Sequence, residues 1–357
     1  MHEIFVLLAF LAFICIALAM DLGLFNKTAH KISLKESLVF TCVWIGIAVL
    51  FFVLLRFFGD VLHGVTDMES LKAINIRNGH NIDFKDGADF AANLQLYRNQ
   101  LSLEFITGYL IEYAMSIDNV FVILLIFTGF GVDEKYYHRV LFWGILGAIV
   151  MRFIFIFALS ELVHKFAWIL AVFGAILIVT AVRMFLNRNK QEKVDVENHK
   201  VVKLVSKYFA VSPRFHEERF FIKENGKHLI TPLFLVLLVI EFSDVIFAVD
   251  SVPAIFSVTK DQYIVFISNI FAIIGLRSLF FLLSSIVNLF YYLRHGLSIL
   301  LGFIGVKMML EVFDIVHINT IVSLSVILVI LVGCILLSVL FPPESNRQKT
   351  ENESIIK

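Results

Sequence analysis

The sequence is poor in charge and in cysteine. Only 17% of its 357 residues are charged, against about a quarter in soluble domains, whereas 59% are hydrophobic. The three cysteines, Cys15, Cys42 and Cys334, lie in apolar runs without a Cys-x-x-Cys pair, which argues against thiolate metal binding and a disulfide framework. A net charge of zero leaves no global basic field for nucleic acid, so no nucleic-acid partner is expected.

Long apolar runs take the place of charge. A transmembrane helix needs about 20 such residues, and no alternation typical of barrel strands is visible. We therefore predict an all-α polytopic protein of the lipid bilayer with about nine transmembrane helices. The predicted spans are 4–20, 36–58, 102–130, 139–160, 166–186, 231–256, 262–285, 296–313 and 319–341. The first is interpreted as a retained helix, because Asp21 follows it and no basic region precedes it.

Lysines and arginines in the loops predict the orientation. The segment 187–229 carries ten of them and is placed in the cytoplasm, where part of it has the period of a short amphipathic helix. The other loops then alternate, with the N-terminus outside and the C-terminus in the cytoplasm. The long outer loop, 59–101, contains His63 and His80, which we interpret as surface histidines.

Helices three to five resemble helices six to eight. The matched positions are Arg152 with Arg277, Arg183 with Lys307, Glu112 with Asp244, and Asp118 with Asp250. A second register, which pairs Asp118 with Asp244, stays open. Because each unit has three spans, an odd number, two tandem units must insert with opposite topology, as in secondary transporters whose sites lie near the midplane. The predicted parts are 1–101 (two helices and the outer loop), 102–186 (first repeat), 187–230 (connector), 231–313 (second repeat) and 314–357 (last helix and tail).

Five acidic side chains lie inside predicted spans, where each costs about 2.5–3.5 kcal/mol. They are Glu112, Asp118, Glu241, Asp244 and Asp250. Three intramembrane bases, Arg152, Arg277 and Lys307, are predicted charge partners, which leaves two acids for a cation, a proton or solvent. A six-residue step turns a helix by about 240° net. Acids six residues apart therefore either serve different stages of a path or lie on broken helices.

Neutral oxygen ligands accompany the acids. Asn119 and Ser251 follow two of the aspartates. Pro253 predicts a break in the sixth helix, because it cannot donate to the carbonyl of Val249, which would then be a free ligand. Carboxylate, amide, hydroxyl and carbonyl oxygens suit Mg²⁺, Ca²⁺ or Mn²⁺. Carboxylates also carry protons, so exchange of metal for protons is feasible.

Several stretches resemble the TerC family, also called the TerC/Alx family. They are FITGYLIEYAMSIDNVFVILLIF (105–127), HRVLFWGILGAIVMR (138–152), FLVLLVIEFSDVIFAVDSVPAIF (234–256), GLRSLFF (275–281) and IGVKMM (304–309). The resemblance implies a bacterial inner-membrane protein of the LysE-like transporter superfamily, whose members are associated with Mn²⁺ export and tellurium-resistance gene clusters. Carried over one by one, the acidic motif residues of the family fall on the same five acids.

The favoured hypothesis is therefore that the chain is not an enzyme but an exporter of a divalent cation, with Mn²⁺ as the favoured ion. The metal would be the transported ion, with no prosthetic group, and the protein partners are unknown. One alternative is a membrane scaffold or insertion partner without transport. A more remote alternative is an intramembrane aspartyl protease, although the sequence around Asp244 and Asp250 lacks the GxGD motif of such enzymes.

Overall fold

Apolar helices build the structure, as the sequence predicts. The computed structural model describes residues 2–23, 33–80, 82–84, 89–166, 168–186, 200–224, 227–286, 292–316 and 318–340. The helices are α1 (His2–Gly23), α2 (Leu34–Phe58), α3 (Asp60–His63), α4 (Met68–Asn78), α5 (Phe90–Gly129), α6 (Tyr137–Lys165), α7 (Ile169–Leu186), α8 (Lys200–Tyr208), α9 (Pro232–Phe256), α10 (Gln262–Ile286), α11 (Leu293–Val312) and α12 (Thr320–Leu340). Strands β1 (Phe221–Glu224) and β2 (Lys227–Ile230) form an antiparallel hairpin before α9.

Eight helices within these ranges are long and apolar enough to cross a membrane. They are α2, α5, α6, α7, α9, α10, α11 and α12. The remaining predicted span, 4–20, coincides with α1, whose apolar stretch among the described residues, Glu3–Ile16, is shorter. The all-α polytopic prediction is confirmed, and the count of nine spans stays a prediction.

Helix ends follow local sequence signals. The Thr231 hydroxyl accepts from the backbone N–H of Phe234 and caps α9, with Pro232 as the first helical residue. The predicted break at Pro253 is wrong, since α9 continues to Phe256. Pro253 lies in the last turn of α9, so few helical residues follow the hydrogen bond that it removes.

The outer loop holds more structure than predicted. Asp67 and Ser70 form a capping box at the start of α4, and Gly79 ends that helix with a positive φ of 62°. Helix α5 begins at Phe90, well before the predicted start at 102. The connector contains α8, where a short amphipathic helix was predicted, and the β1–β2 hairpin, which was not predicted.

Four helices surround the centre of the bundle. Helix α10 packs on α5 and α6, and α9 packs on the same two helices. Helix α10 is the most enclosed, because its apolar window within Gln262–Ser284 is wholly buried. Helices α7 and α11 pack closely at Gly174 and Gly305, where a methyl group on Gly305 would lie 2.8 Å from the Gly174 carbonyl oxygen.

Candidate functional site

Arg152 lies at the meeting point of these four helices. Its guanidinium on α6 is 1% exposed and forms ion pairs with Glu112 on α5 and with Asp244 on α9, the latter at 3.2 Å. It also donates to Ser251 on α9 at 3.1 Å and to the Asn269 amide oxygen on α10 at 3.0 Å. The Asn269 amide nitrogen in turn donates to Glu112 at 3.0 Å. We call these five residues the Arg152 cluster; two carboxylates, an amide and a hydroxyl converge there on one cation.

A small cavity adjoins this cluster. It is lined by Asp244 and Asn119 together with apolar residues of α5, α6, α9 and α10, and its volume is about 20 Å³. Such a volume suffices for about one water molecule. Asp244 retains 14% side-chain exposure, whereas Glu112 has none. Asp244 is therefore the more accessible carboxylate of the Arg152 cluster.

Glu241 lies apart from the Arg152 cluster, in a groove between α6 and α9. The groove has a volume of about 560 Å³ and is lined mainly by apolar side chains, among them Trp143, Met151 and Phe242. Gly147 makes room for the carboxyl group, because a methyl group there would collide with it. Among the described side chains no cation contacts Glu241.

The other predicted ligands lie elsewhere on the two helices. Asp250 faces α7, where the Thr180 hydroxyl donates to it at 3.5 Å, and no base in the described part of the chain pairs with it. The Val249 carbonyl lies opposite Pro253, which offers it no N–H. Asp118 lies on α5, but its side chain is outside the described residues.

Two of the predicted charge partners have other contacts. Arg277 hydrogen-bonds His138 with 2.6 Å between Nη2 and Nδ1. Lys307 donates to the Ser257 carbonyl at 2.8 Å and lies 3.5 Å from Glu311. Lys307 therefore satisfies groups near one end of the bundle, whereas Arg152 contacts two of the five acids.

The four predicted acids whose side chains the structure describes do not form one preformed metal centre. Among the described side chains no three His, Cys, Asp or Glu residues are arranged to hold a metal ion. Because α9 is unbroken, its acids point in different directions, towards the Arg152 cluster, the α6–α9 groove and α7. Of the two arrangements that the sequence allows, the structure has the one with acids at separate positions along the helices.

Asn269 is a site residue that the sequence analysis missed. It is fully buried and contacts both Arg152 and Glu112. Its signal was a lone amide within the apolar run of the seventh predicted span, where a polar side chain is costly and needs a partner. The repeat comparison considered only Arg277 in that helix.

The surface interpretation of His63 and His80 is wrong. Both are buried, and they lie at the end of the bundle that the loop charges place outside. His63 Nδ1 is 2.9 Å from Glu3 and His63 Nε2 is 2.7 Å from Asp261. His80 Nδ1 is 2.9 Å from Glu104. We call these two histidines and three acids the outer cluster.

The ion pairs of the outer cluster shift its protonation. Burial lowers the pKa of His63, but the Asp261 and Glu3 carboxylates offset this and raise it to about 9. Burial opposes ionisation of Asp261 as well, yet the neighbouring histidines bring its pKa down to about 2. The Glu104 carboxylate raises the pKa of His80 against the effect of its burial. Positive histidines beside negative acids are thus the favoured state of this cluster.

Fold and site together define a polytopic α-helical membrane protein with a buried, carboxylate-rich ion-pair network at its centre. The family model of the integral membrane protein TerC family matches residues 97–346. The chain therefore belongs to the TerC family, which confirms the resemblance.

Relatives cover almost the whole chain. A protein of Myxococcus xanthus named "Uncharacterized membrane protein STKORF319" is 41% identical over 318 residues, 89% of this chain and 86% of its own. Proteins named "Putative membrane-bound redox modulator Alx" are 38% identical in Photorhabdus laumondii, over 93% of both chains, and 38% identical in Escherichia coli, over 90% of both. No solved structure matches this chain.

Proposed function

We propose that this chain exports a divalent cation, with Mn²⁺ as the favoured ion, across the bacterial inner membrane. The observation that carries the proposal is the surplus of negative side chains in the bundle. Arg152 offers one positive charge to Glu112 and Asp244, while Glu241 and Asp250 have no cationic contact among the described residues. Intramembrane ionisable groups of this kind mark ion pathways.

Arg152 occupies the position that a cation would take. Around it are two carboxylates, the amide oxygen of Asn269 and the hydroxyl of Ser251. These are the hard oxygen ligands that Mn²⁺ and similar ions accept. In our proposal Arg152 neutralises these ligands while no metal is bound, and the arriving metal displaces its guanidinium. The cavity beside Asp244 and Asn119 is the proposed point of entry.

The contacts between helices support an inverted repeat. An offset of 124 residues equates Ala181 with Gly305 and Ile178 with Gly302. A methyl group on Gly302 would lie 3.7 Å from the Ala181 methyl, and one on Gly305 would lie 2.8 Å from Ile178 Cγ1. Exchange of the two units converts one contact into the other. This pattern favours two related halves that rock about a central site.

The proposal can be tested by the metal content of cells. A bacterial host without its own Mn²⁺ exporter is given the wild-type chain or one of Glu112→Gln, Asp244→Asn, Glu241→Gln and Asp250→Asn. We expect wild type to lower cellular Mn²⁺ several-fold after Mn²⁺ challenge. Asp244→Asn should abolish that effect, because the change keeps the shape but removes the charge.

Glu161→Gln is the matched control, since Glu161 is 72% exposed and lies 3.9 Å from Lys165 at the end of α6. All variants are compared at equal membrane abundance. If the acid-to-amide variants lower cellular Mn²⁺ as well as wild type does, the exporter is contradicted and a scaffold without transport is favoured. Unchanged Mn²⁺ with the wild-type chain also contradicts it.

A further inference from the structure

The contacts of His63 in this structure favour a proton on each of its ring nitrogens. Both ring nitrogens face carboxylate oxygens, Nδ1 that of Glu3 and Nε2 that of Asp261. An ionised carboxylate only accepts hydrogen bonds, so with Glu3 and Asp261 ionised both nitrogens donate and His63 is a positive imidazolium. The Arg77 guanidinium, whose Nη2 lies 3.4 Å from Nδ1, faces the same side of the ring. The second carboxylate oxygen of Asp261, Oδ1, accepts from the backbone N–H of Tyr263 at 2.9 Å.

His80 has one ring nitrogen free to exchange a proton. Its Nδ1 contacts Glu104, which also accepts from the Thr259 hydroxyl at 2.7 Å. Its Nε2 is buried, has no hydrogen-bond partner among the described residues and lies 3.8 Å from the Asp261 carboxylate. A buried nitrogen without a partner is costly unless a proton or water serves it. A proton here would be attracted by Asp261 directly in front of it.

The charges of this region balance only when both histidines are protonated. Glu3, Glu104 and Asp261 carry three negative charges, and Arg77 neutralises one through its contact with Glu3. Two positive histidines neutralise the rest. With neutral histidines the cluster would keep two negative charges, although Glu104 and Asp261 are 1% and 0% exposed. Burying unpaired charges is strongly unfavourable.

Other described ionisable groups surround the outer cluster. Tyr97 and Tyr263 lie against the histidine rings at 5.5 and 5.7 Å between ring centroids. Lys260 precedes Asp261 in the chain and is exposed, and a methyl group on Gly79 would lie 3.2 Å from its Cδ. On α11, Lys307 and Glu311 form their own ion pair, so they add no net charge.

The outer cluster and the Arg152 cluster lie on the same helices. Glu104 precedes Glu112 by eight residues on α5, and Asp261 precedes Asn269 by eight residues at the start of α10. Eight residues of α-helix span about 12 Å. Polar groups lie at intermediate depth as well: the side chain of Ser268 is fully buried, and a methyl group on Gly108 would lie 2.9 Å from its hydroxyl.

We propose that the outer cluster is the proton-binding site of the exporter, where His63 and His80 take up two protons from the extracytoplasmic side in exchange for each divalent cation released there. The coupling rests on the proposed function. Two protons in and one divalent cation out leave the charge of the protein and of the membrane unchanged. When the two protons leave towards the cytoplasm, the cluster gains two negative charges and attracts the cation from the Arg152 cluster; when two protons from the outside bind again, the cation is released to the outside.

Proton binding is measured directly on the full chain in nanodiscs by NMR of isotope-labelled histidines. Signals are assigned with His63→Gln and His80→Gln. We expect both rings to be protonated at pH 7 and to titrate well above the usual histidine value of about 6.5. Rings that are neutral at pH 7, or that titrate near pH 6.5, would overturn the proposal.

Coupling is measured in proteoliposomes that report internal pH and Mn²⁺ together. Wild type should move about two protons per Mn²⁺. In the double variant His63→Gln with His80→Gln, the Mn²⁺ flux driven by a pH gradient should fall at least tenfold, and no proton movement should accompany the Mn²⁺ that still crosses. His228→Gln is the control, because His228 is an exposed histidine of β2.

The outcomes separate the two proposals. A folded double variant with the proton-to-Mn²⁺ ratio of wild type contradicts the outer cluster as the proton site and leaves the exporter intact. A wild-type chain that moves no Mn²⁺ contradicts the exporter. In that case histidines that titrate as expected still support a proton-binding site, and histidines that do not titrate in this way overturn it.

Discussion

Arg152 shows how a single residue determines the chemistry of the bundle. Contacts with two carboxylates, a hydroxyl and an amide oxygen replace the water that its guanidinium loses on burial. A buried ion pair of this kind adds little net stability, because desolvation offsets the attraction. Removal of one partner is costly, because the charges that remain have no counter-ion. The Arg152 cluster is therefore stable only when some cation is present in it.

We predict that Arg152→Gln lowers the free energy of unfolding by about 3–5 kcal/mol, the usual cost of a broken buried ion pair. Adding Glu112→Gln to this variant should recover part of the loss, because one unpaired carboxylate is removed. Chemical unfolding in detergent, run as a double-mutant cycle, measures the coupling. Equal stability of wild type and Arg152→Gln would show that the ion pair does not hold the helices together.

The outer cluster predicts a specific dependence of stability on pH. The pKa of His63 is about 9 in the folded chain and about 6.5 when unfolded, so its contribution is complete below pH 6.5 and is lost as pH rises through 9. The pKa of Asp261 is lowered to about 2, so its contribution is complete above pH 4 and is lost as pH falls through 2. The melting temperature of wild type minus that of His63→Gln should be largest between about pH 4 and 6.5. A difference that is constant up to pH 10 would contradict the pairing.

At the scale of elements, α7 and α11 form a close seam, where backbone meets backbone. A methyl group on Gly305 would lie 2.8 Å from the Gly174 carbonyl oxygen, whereas one on Gly333 of α12 would meet nothing within 4 Å. Overpacking of a tight core costs about 1–3 kcal/mol. Gly305→Ala should therefore lower the melting temperature by several degrees and Gly333→Ala should leave it unchanged. Equal effects of the two changes would mean that this seam is looser than the structure indicates.

Hydropathy predicted the long helices because lipid-facing surface requires apolar side chains on every span. It did not predict where α5 begins, since five polar or charged side chains interrupt the apolar residues of 90–101 and remove the hydropathy signal of a transmembrane span there. The β1–β2 hairpin carried a local signal that was missed, the Asn225–Gly226 dipeptide favoured in two-residue turns. The predicted break at Pro253 overrated one lost hydrogen bond near the end of a helix.

The candidate site was only partly predictable, because its contacts join distant parts of the chain. The cost of burial alone identified Glu112, Asp244 and Arg152, which the structure brings together. The same reasoning could not find His63, since its partner Asp261 is 198 residues away and both lie just outside apolar runs. Which acids share a cluster depends on helix rotation, and hydropathy does not determine rotation.

At the scale of the whole molecule, the charges of the loops predict the orientation in the membrane. The loop charges place α4 outside and the β1–β2 hairpin in the cytoplasm. In a chain with Cys15, Cys42 and Cys334 replaced by serine, we expect Glu69→Cys to react with an impermeant maleimide in intact spheroplasts. Glu224→Cys should react only after the membrane is opened. The reverse pattern would invert the orientation and place the outer cluster on the cytoplasmic side.

If the chain is an exporter, it moves an ion that displaces the Arg152 guanidinium from the carboxylates of Glu112 and Asp244. The most direct test is Mn²⁺ flux through the purified chain in liposomes, with wild type and Asp244→Asn reconstituted at equal density. We expect the Mn²⁺ flux of wild type to be well above that of empty liposomes, and the flux of Asp244→Asn to be at least tenfold lower than that of wild type. Wild-type flux no greater than that of empty liposomes, or equal flux in both proteins, would contradict the proposed export.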